Sequence, residues 1–312
     1  MGQEPEPVNL YSRYLHRRYG CRVYRVAVDA GFSCPNRGAF RGNAGCTYCD
    51  ERGSRAPYLG ETDDLRAQVE EGIRFLRKRY GATLFILYLQ AFTNTFAPLE
   101  DLRKIYDYLL SLAPFKEFIV STRPDCVSEE IARLLSEYRE GERDVWVELG
   151  LQSASEETLK RIKRGHSVTD FLEAYRLLKA HSLKVAVHVI FGLPGESRED
   201  IMSTVGLLAS EGVDGIKIHN LHIPLGTEMY EEYLAGELVA PSSIRHLEYT
   251  IEALERLPRE TVVMRLTTDT PRDRLAAPRR FWEKARFYEE LKSEMDRRGT
   301  YQGRLSVGRV NF

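Results

Sequence analysis

Six short apolar runs alternate with longer amphipathic stretches, and this alternation constrains the fold more than any other feature of the sequence. A strand reaches a parallel neighbour only through a crossover, so six successive strand-then-helix units require a mainly parallel sheet with right-handed crossovers. The predicted strands are residues 23–29, 84–90, 118–122, 145–151, 185–191 and 215–221. The predicted helices between them are residues 63–80, 98–112, 128–139, 155–182 and 198–212.

The residues that follow the predicted strands distinguish between two parallel architectures. A doubly wound sheet and an open barrel both satisfy the alternation. Polar residues and glycines cluster directly after the strand ends, where barrel enzymes place their chemistry. These clusters are residues 29–31, 90–94, 121–123, 152–153, 192–196 and 219–222. The sequence therefore predicts an α/β fold, a partial (β/α)6 TIM-like barrel.

The pattern changes beyond residue 240. A helix at 243–257, a further strand at 262–266 and a long charged helix at 280–298 predict an α/β extension at the C-terminal end. The expected organisation is an N-terminal segment 1–20, a barrel core 21–240 and a C-terminal extension 241–312. No stretch approaches the roughly 20 apolar residues of a membrane span, and no signal peptide is predicted. We expect a cytoplasmic protein that needs no membrane.

Charge is distributed unevenly along the chain. The formal net charge of −1 argues against a generally basic nucleic-acid coat. From Arg256 to the end, however, 14 Lys and Arg stand against 8 Asp and Glu. This excess of positive charge indicates a surface that binds the phosphates of a nucleic acid. The alternative interpretation is a solvent-exposed helix face of mixed charge.

Three of the five cysteines crowd into one loop after the first strand. Cys34, Cys46 and Cys49 have C-x11-C-x2-C spacing, and soft thiolates select iron–sulfur clusters or zinc. Structural zinc normally takes four ligands, so Cys21, Cys126 or a distant histidine would have to complete that site. Three thiolates suit a [4Fe–4S] cluster with one open iron. Cys21 and Cys126 are too few for a second cluster, and both are predicted to be buried or partly buried apolar residues.

Seven motifs follow one another in a fixed order along the chain. They are Asp-Ala-Gly-Phe-Ser-Cys-Pro-Asn-Arg at 29–37, Gln-Ala-Phe-Thr-Asn-Thr at 90–95, Ser-Thr-Arg-Pro-Asp at 121–125, Glu-Leu-Gly-Leu-Gln-Ser at 148–153, Arg-Gly-His at 164–166, Phe-Gly-Leu-Pro-Gly-Glu at 191–196 and Thr-Pro-Arg-Asp at 270–273. With these motifs the sequence resembles the radical SAM superfamily, and more closely its YhcC/YtqA type, which is similar to the Elp3 and oxygen-independent coproporphyrinogen oxidase branches. The cysteine spacing is the long-loop variant of the common C-x3-C-x2-C pattern, and Gln-Ala-Phe-Thr-Asn at 90–94 replaces the usual Gly-Gly-Glu.

The resemblance implies two cofactors, a [4Fe–4S] cluster on Cys34, Cys46 and Cys49, and S-adenosylmethionine on its open iron. An electron from a donor such as flavodoxin or ferredoxin would cleave S-adenosylmethionine to methionine and a 5′-deoxyadenosyl radical, which abstracts a hydrogen atom from the substrate. No catalytic side chain is assigned. The residues implied to bind S-adenosylmethionine are Tyr48, Gln90, Thr93, Asn94, Ser121, Glu148, Gln152, Arg164, His188 and Leu193.

Some of these assignments have alternatives. Arg164 would pair with the carboxylate of S-adenosylmethionine, or it is a surface residue of a basic run. Gln152 and His188 would bind the ribose hydroxyls. For His188, an equally good interpretation is a polar residue of the barrel interior whose hydrogen bonds are made within the protein. Tyr48 would stack near the adenine. The backbone of 192–195 would pass the adenine, or it forms an ordinary tight turn.

The resemblance to the Elp3 branch implies modification of the wobble uridine side chain of tRNA, with tRNA as a partner. The alternatives are a radical SAM enzyme for a small-molecule or porphyrin-type substrate and a zinc-stabilised nucleic-acid-binding module without catalysis. Aromatic residues in the C-terminal extension would stack bases or belong to the core. The basic residues expected to hold phosphates are Arg272, Arg274, Arg279, Arg280, Lys284 and Arg286, and the aromatic residues are Phe281, Trp282, Phe287 and Tyr288.

Overall fold

A computed structural model describes residues 6–38, 43–49, 62–141, 143–268 and 270–306. Its strands are β1 (Val23–Val28), β2 (Arg37–Gly38), β3 (Asn43–Ala44), β4 (Leu84–Leu89), β5 (Phe115–Thr122), β6 (Asp144–Gln152), β7 (Lys184–Phe191), β8 (Gly215–Asn220), β9 (Ile223–Pro224), β10 (Val262–Arg265) and β11 (Leu275–Ala277). Its α-helices are α1 (Tyr11–Tyr19), α2 (Leu65–Tyr80), α3 (Leu99–Ser111), α4 (Glu129–Glu137), α5 (Glu156–Arg161), α6 (Val168–Ala180), α7 (Arg198–Glu211), α8 (Glu228–Leu234), α9 (Ser243–Arg256) and α10 (Lys284–Arg298).

Seven parallel strands form one curled sheet, a half-barrel in the order β1-β4-β5-β6-β7-β8-β10. The order follows the chain, as expected when each strand returns beside its predecessor through a helix. The predicted partial barrel is therefore confirmed. The strand predicted at 262–266 as part of the extension instead joins this sheet, because β10 pairs with β8.

Apolar side chains line both faces of the sheet. The outer face packs against the helices in one large core, which also contains Phe287, Leu291 and Met295 of α10. The inner face carries a second cluster near the amino ends of the strands, where Trp146 packs against Tyr11 of α1. Helix α1, which was not predicted, therefore covers that end of the barrel interior.

The single helical stretch predicted for 155–182 is wrong. The chain leaves α5 through Lys163 and Gly165, whose φ angles are +51° and +77°, and such angles end a right-handed helix. Helix α6 then starts at a capping box in which Ser167 and Asp170 satisfy each other's backbone N–H groups. The break carries Arg164 into the protein, where only 7% of it is exposed.

The extension packs on the barrel. Helix α9 lies between α7 and α10, and the backbone N–H of Trp282 donates to Oγ of Ser243 at 2.8 Å. Helix α10 begins at Lys284 rather than at residue 280. The division at residues 20 and 240 stays a prediction. In the described part of the chain, no helix is both long and apolar enough to span a bilayer.

Candidate functional site

A polar cavity of about 330 Å³ opens at the carboxyl ends of the sheet strands, next to the cysteine loop. This is the position that barrel architecture predicts for an active site. Its lining residues are Cys34, Arg37, Gly45, Cys46, Tyr48, Cys49, Tyr88, Gln90, Phe92, Thr93, Ser121, Thr122, Arg123, Glu148, Gly150, Gln152, Arg164, His188, Lys217, His219, Arg265, Thr268, Thr270, Pro271 and Arg274.

The cysteine loop presents all three predicted ligands to this cavity. The N–H of Cys49 donates to the carbonyl of Cys46 at 3.0 Å, so the x2 spacing forms a tight turn that brings two thiols to one side. Asn36 donates from Nδ2 to Sγ of Cys46 at 3.2 Å and to the carbonyl of Lys163 at 2.6 Å, which ties the loop to the break after α5. Among the described residues, no three Cys, His, Asp or Glu group closely enough to hold a single metal ion.

Arg164 lies against the buried thiol of Cys46. Its Nη1 is 3.6 Å from Sγ, and its Nη2 donates to the carbonyl of Gly150 at 2.8 Å. Burial would raise the pKa of the Cys46 thiol, but the positive charges of Arg164 and Arg123 outweigh burial and lower this pKa. A thiolate at Cys46 is thus favoured, and thiolates are the ligands of an iron–sulfur cluster. This environment fits the predicted cluster.

Gly150 is required for this contact. A Cβ atom at residue 150 would lie 2.6 Å from Nη2 of Arg164 and 2.7 Å from Nε2 of Gln152. Both distances are far shorter than an ordinary contact. The missing side chain therefore allows Arg164 to lie beside β6.

Glu148 is the centre of a hydrogen-bond network in the barrel interior. Its Oε2 accepts hydrogen bonds from Tyr88 Oη at 2.8 Å, Ser121 Oγ at 3.1 Å, His188 Nε2 at 2.9 Å and Lys217 Nζ at 2.5 Å. Burial would raise the pKa of Glu148, but Lys217 and His188 hold it well below its ordinary value. Its Oε1 is buried and has no hydrogen-bond partner among the described residues. A charged carboxylate therefore faces the cavity with one acceptor atom unused.

Two histidines beside Glu148 are held neutral. Burial, aided by the charge of Lys217, lowers the pKa of His188 to about 4. Burial and the neighbouring His188 lower the pKa of His219 well below its ordinary value. The charge of Arg265 acts in the same direction on both imidazoles. Near neutral pH, both imidazoles are thus uncharged beside the ionised carboxylate of Glu148.

Eight of the ten predicted cofactor residues line the cavity, and Asn94 and Leu193 do not. Asn94 is fully buried and donates from Nδ2 to the carbonyls of Ala91 and Ser121 at 3.0 Å each, so it organises the turn after β4. Leu193 packs in an apolar cluster with Ile162. The roles of all ten in binding S-adenosylmethionine stay predictions. Those at the cavity are Tyr48, Gln90, Thr93, Ser121, Glu148, Gln152, Arg164 and His188.

The structure favours some of the alternative interpretations. His188 bonds to Glu148, which is the interior role proposed for it beside ribose binding. A Cβ atom at Gly192 would lie 2.2 Å from Cγ of Pro241, so close packing in the turn requires this glycine. Cys21 and Cys126 are both partly buried, and burial raises the pKa of the Cys126 thiol to about 12.

Sequence reasoning missed Lys217 and Arg265 on the last two strands of the sheet, and it named His219 only as part of a polar cluster at a strand end. Lys217 and His219 alternate with buried isoleucines in β8, and this period-two pattern is the signal that places them on the interior face. Arg265 ends β10 and also reaches the cavity. It was missed because its strand was predicted to lie in the extension.

The cavity continues toward the C-terminal extension. A second cavity shares Thr268 and Thr270 with the first, and a third cavity shares the same two residues and reaches Arg279 and Trp282. Phe281 and Trp282 are partly buried and line this third cavity, whereas Phe287 lies in the core. A continuous groove therefore joins the cysteine loop to the basic extension.

Two family models match the chain. Residues 39–208 match the Radical SAM superfamily and residues 213–297 match the Radical_SAM C-terminal domain. The chain is 36% identical over 292 residues to the uncharacterised protein YtqA of Bacillus subtilis, an alignment that covers 94% of this chain and 90% of the relative.

Two further similarities are to a curated protein and to a solved structure, both from an archaeon. A tRNA uridine(34) acetyltransferase of Methanocaldococcus infernus is 34% identical over 160 residues, which is 49% of this chain and 28% of that protein. The solved structure of archaeal Elp3 from Methanocaldococcus infernus, lacking residues 1–46 of its N-terminus, superposes with a TM-score of 0.70 at 22% identity. The match covers 90% of this chain and 64% of that chain. This structural likeness shows a shared fold.

Proposed function

Because this chain belongs to the radical SAM superfamily, we propose that it is a tRNA-modifying radical SAM enzyme that acts on the side chain of the wobble uridine. The superfamily uses a [4Fe–4S] cluster and S-adenosylmethionine, which together supply a 5′-deoxyadenosyl radical. The proposed substrate class rests on the groove that joins the cysteine loop to the basic extension.

The chain's own residues would hold the two cofactors at the mouth of the barrel. Cys34, Cys46 and Cys49 would ligate the cluster, with Asn36 and Arg164 stabilising the thiolate of Cys46. The cavity residues on the ends of β4 to β7 would hold S-adenosylmethionine. A flavodoxin or ferredoxin would supply the electron.

The groove suits a nucleotide that projects from a longer RNA. Arg272 and Arg279 are exposed and line its outer end, where phosphates would lie, and Arg280 is exposed next to Arg279 in the sequence. Trp282 and Phe281 line the same part and offer aromatic faces to a base. The matched relative named for uridine 34 supports the same substrate class.

The test is anaerobic reconstitution of the cluster, followed by S-adenosylmethionine and dithionite, with 5′-deoxyadenosine measured with and without tRNA that lacks wobble modification. We expect tRNA to increase deoxyadenosine formation, and we expect this increase to fall steeply with salt because phosphate contacts release counterions. Deoxyadenosine that is indifferent to RNA would redirect the search to small molecules. One zinc per chain, without iron or labile sulfide, would contradict radical chemistry altogether.

Paired variants separate RNA contacts from general charge effects. Replacing Arg279 and Arg280 by Ala should weaken tRNA binding and leave the iron content unchanged. The matched control replaces Arg103 and Arg133, which are exposed on α3 and α4 and paired with Glu137 and Glu129. Equal effects of the two double variants would remove the extension from the proposed RNA site.

A further inference from the structure

The C-terminal end of α2 carries a dense run of positive charge. Residues 74–79 contain four cations and no acidic residue, and all four cations are exposed. Within the described ranges, no carboxylate forms an ion pair with any of them. The first half of the same helix is balanced, since Arg66 pairs with Glu70 at 3.6 Å. The four cations are Arg74, Arg77, Lys78 and Arg79.

The helix alone gives little reason for this run. Arg74 lies three and four residues before Arg77 and Lys78, and like charges at these spacings destabilise a helix. Cations in the last turn do offset the helix dipole, but this effect is confined to that turn. The carbonyls of Leu76 and Arg77 already accept the backbone N–H of Gly81. The end of α2 is therefore more positive than its folding requires.

A further cation joins this run from the start of the sheet. Arg22, which is exposed, directly precedes β1, and Val23 of β1 pairs with Leu84 at the start of β4. The rings of Tyr24 and Tyr80 stack with their centres 5.3 Å apart, so the end of α2 lies against the start of β1. We call this surface the amino-end patch, and its residues are Arg22, Arg74, Arg77, Lys78, Arg79 and Tyr80.

Aromatic rings lie among these cations at the protein surface. Tyr80 is 50% exposed and Phe75 is 42% exposed, and their ring centres are 6.5 Å apart. Arg79 donates from Nε to Oη of Tyr80 at 2.9 Å, which orients its guanidinium. Arginine and lysine beside exposed aromatic rings are typical of surfaces that bind RNA, where the cations contact phosphates and the rings contact bases.

We propose that the amino-end patch is a second RNA contact, which binds phosphates of the tRNA outside its anticodon arm. This inference rests on the proposed function and adds a binding surface to it. The patch lies at the amino ends of β1 and β4, and the cavity lies at the carboxyl ends, so the six residues of β1 separate them by about 20 Å. A nucleotide in the cavity does not reach the patch, but a more distant part of the same tRNA does. Phosphate contacts carry no sequence information, so the patch orients the tRNA and leaves recognition of the wobble base to the cavity.

The test compares an unmodified transcript of a tRNA that has uridine at the wobble position with its isolated anticodon arm. Binding of each RNA to the reconstituted protein is measured by fluorescence anisotropy at several salt concentrations. We expect the wild-type protein to bind the whole tRNA at least about tenfold more tightly than the arm, because the whole tRNA offers more phosphates.

The triple variant Arg74→Gln/Arg77→Gln/Lys78→Gln should bind the whole tRNA only as tightly as the arm. Its slope of log affinity against log salt should be smaller by about 3, because each lost phosphate contact removes about one counterion. Its iron content and its affinity for the arm should not change. The matched control, Arg103→Gln/Lys104→Gln/Arg133→Gln, removes three exposed charges from α3 and α4 and should retain the full affinity.

Each contrary result has a distinct meaning. Equal affinity of the wild-type protein for tRNA and arm, or an unchanged affinity and salt slope in the triple variant, overturns the second contact and leaves the proposed function intact. Equal losses in the two triple variants also overturn it, because net charge alone explains them. Flotation with phosphatidylserine vesicles tests a membrane surface as the partner. If the triple variant loses vesicle binding and retains tRNA binding, the patch faces lipid and the inference fails. If the wild-type protein binds neither RNA, the proposed function fails and the inference fails with it.

Discussion

The ammonium group of Lys217 lies 2.5 Å from Oε2 of Glu148 inside the barrel, and the two side chains are 1% and 0% exposed. Taking two charges out of water costs several kcal/mol for each, and their attraction offsets this only while both are present. The pair therefore links β6 to β8, and removing either side chain leaves the charge of the other buried without its partner.

Lys217→Met is expected to lower the free energy of unfolding by about 3–5 kcal/mol, because it leaves the carboxylate of Glu148 buried without its cation. The double variant Glu148→Gln/Lys217→Met should be more stable than the sum of the single effects predicts. Urea denaturation under anaerobic conditions measures both quantities.

The matched control for this prediction is Lys163→Met. Lys163 also contacts a carboxylate, that of Glu228 at 2.6 Å, but both side chains are about half exposed. Its loss should cost less than about 1 kcal/mol. If the two lysine variants lost similar amounts of unfolding free energy, burial would not increase the contribution of the Glu148–Lys217 pair to stability.

The strands of the barrel were predictable because parallel strands buried on both faces form near-continuous apolar runs. β4 and β7, for example, agree with their predicted ranges to within one residue at each end. The charged interior was harder to predict. Lys217 lies within an apolar run, and its partner Glu148 is 69 residues away in sequence, so only the assembled sheet brings them together.

Two local features were missed for different reasons. The helical periodicity of 155–182 continues across the break, but Gly165 and the Ser167 capping box end one helix and begin another. The strand β10 was predicted, but its pairing with β8 was not, because a four-residue strand does not reveal which sheet it joins. Arg265 was overlooked as a result.

Glu196 is expected to make the protein less stable as the pH rises. Burial raises its pKa from an ordinary value of 4.5 to about 7, and Oγ of Ser153 donates to its Oε1 at 2.5 Å. Between these two values the folded protein retains a proton that the unfolded chain has lost. The stabilisation is complete below pH 4.5 and is lost as the pH rises to about 7, a change of at most about 3 kcal/mol.

Glu196→Gln preserves the acceptor for Ser153 and removes the titration. Unfolding free energies measured at pH 5 and pH 8 should therefore differ less in this variant than in the wild-type protein. A pH dependence unchanged by the substitution would show that Glu196 is ionised in the folded state.

Gly150→Ala should disturb the cysteine loop from the opposite side of the cavity. Its methyl group would displace Arg164 and Gln152, at a cost of about 1–3 kcal/mol, and Cys46 would lose the charge that favours its thiolate. We expect less iron and sulfide per chain after reconstitution. The control is Gly206→Ala in α7, where a Cβ atom meets nothing within 4 Å. Equal iron contents in the two variants would show that Arg164 does not help Cys46 to bind the cluster.

The last prediction concerns which cysteines ligate the cluster. Cys46→Ala should abolish cluster absorbance and reductive cleavage of S-adenosylmethionine, because two remaining thiolates cannot hold the cluster as three do. Cys126→Ala is the matched control. Its thiol lines a separate cavity and is held protonated by burial, so it is a poor ligand. Full cluster content in Cys46→Ala would contradict the ligand role of Cys46, and loss of the cluster in Cys126→Ala would make Cys126 a ligand.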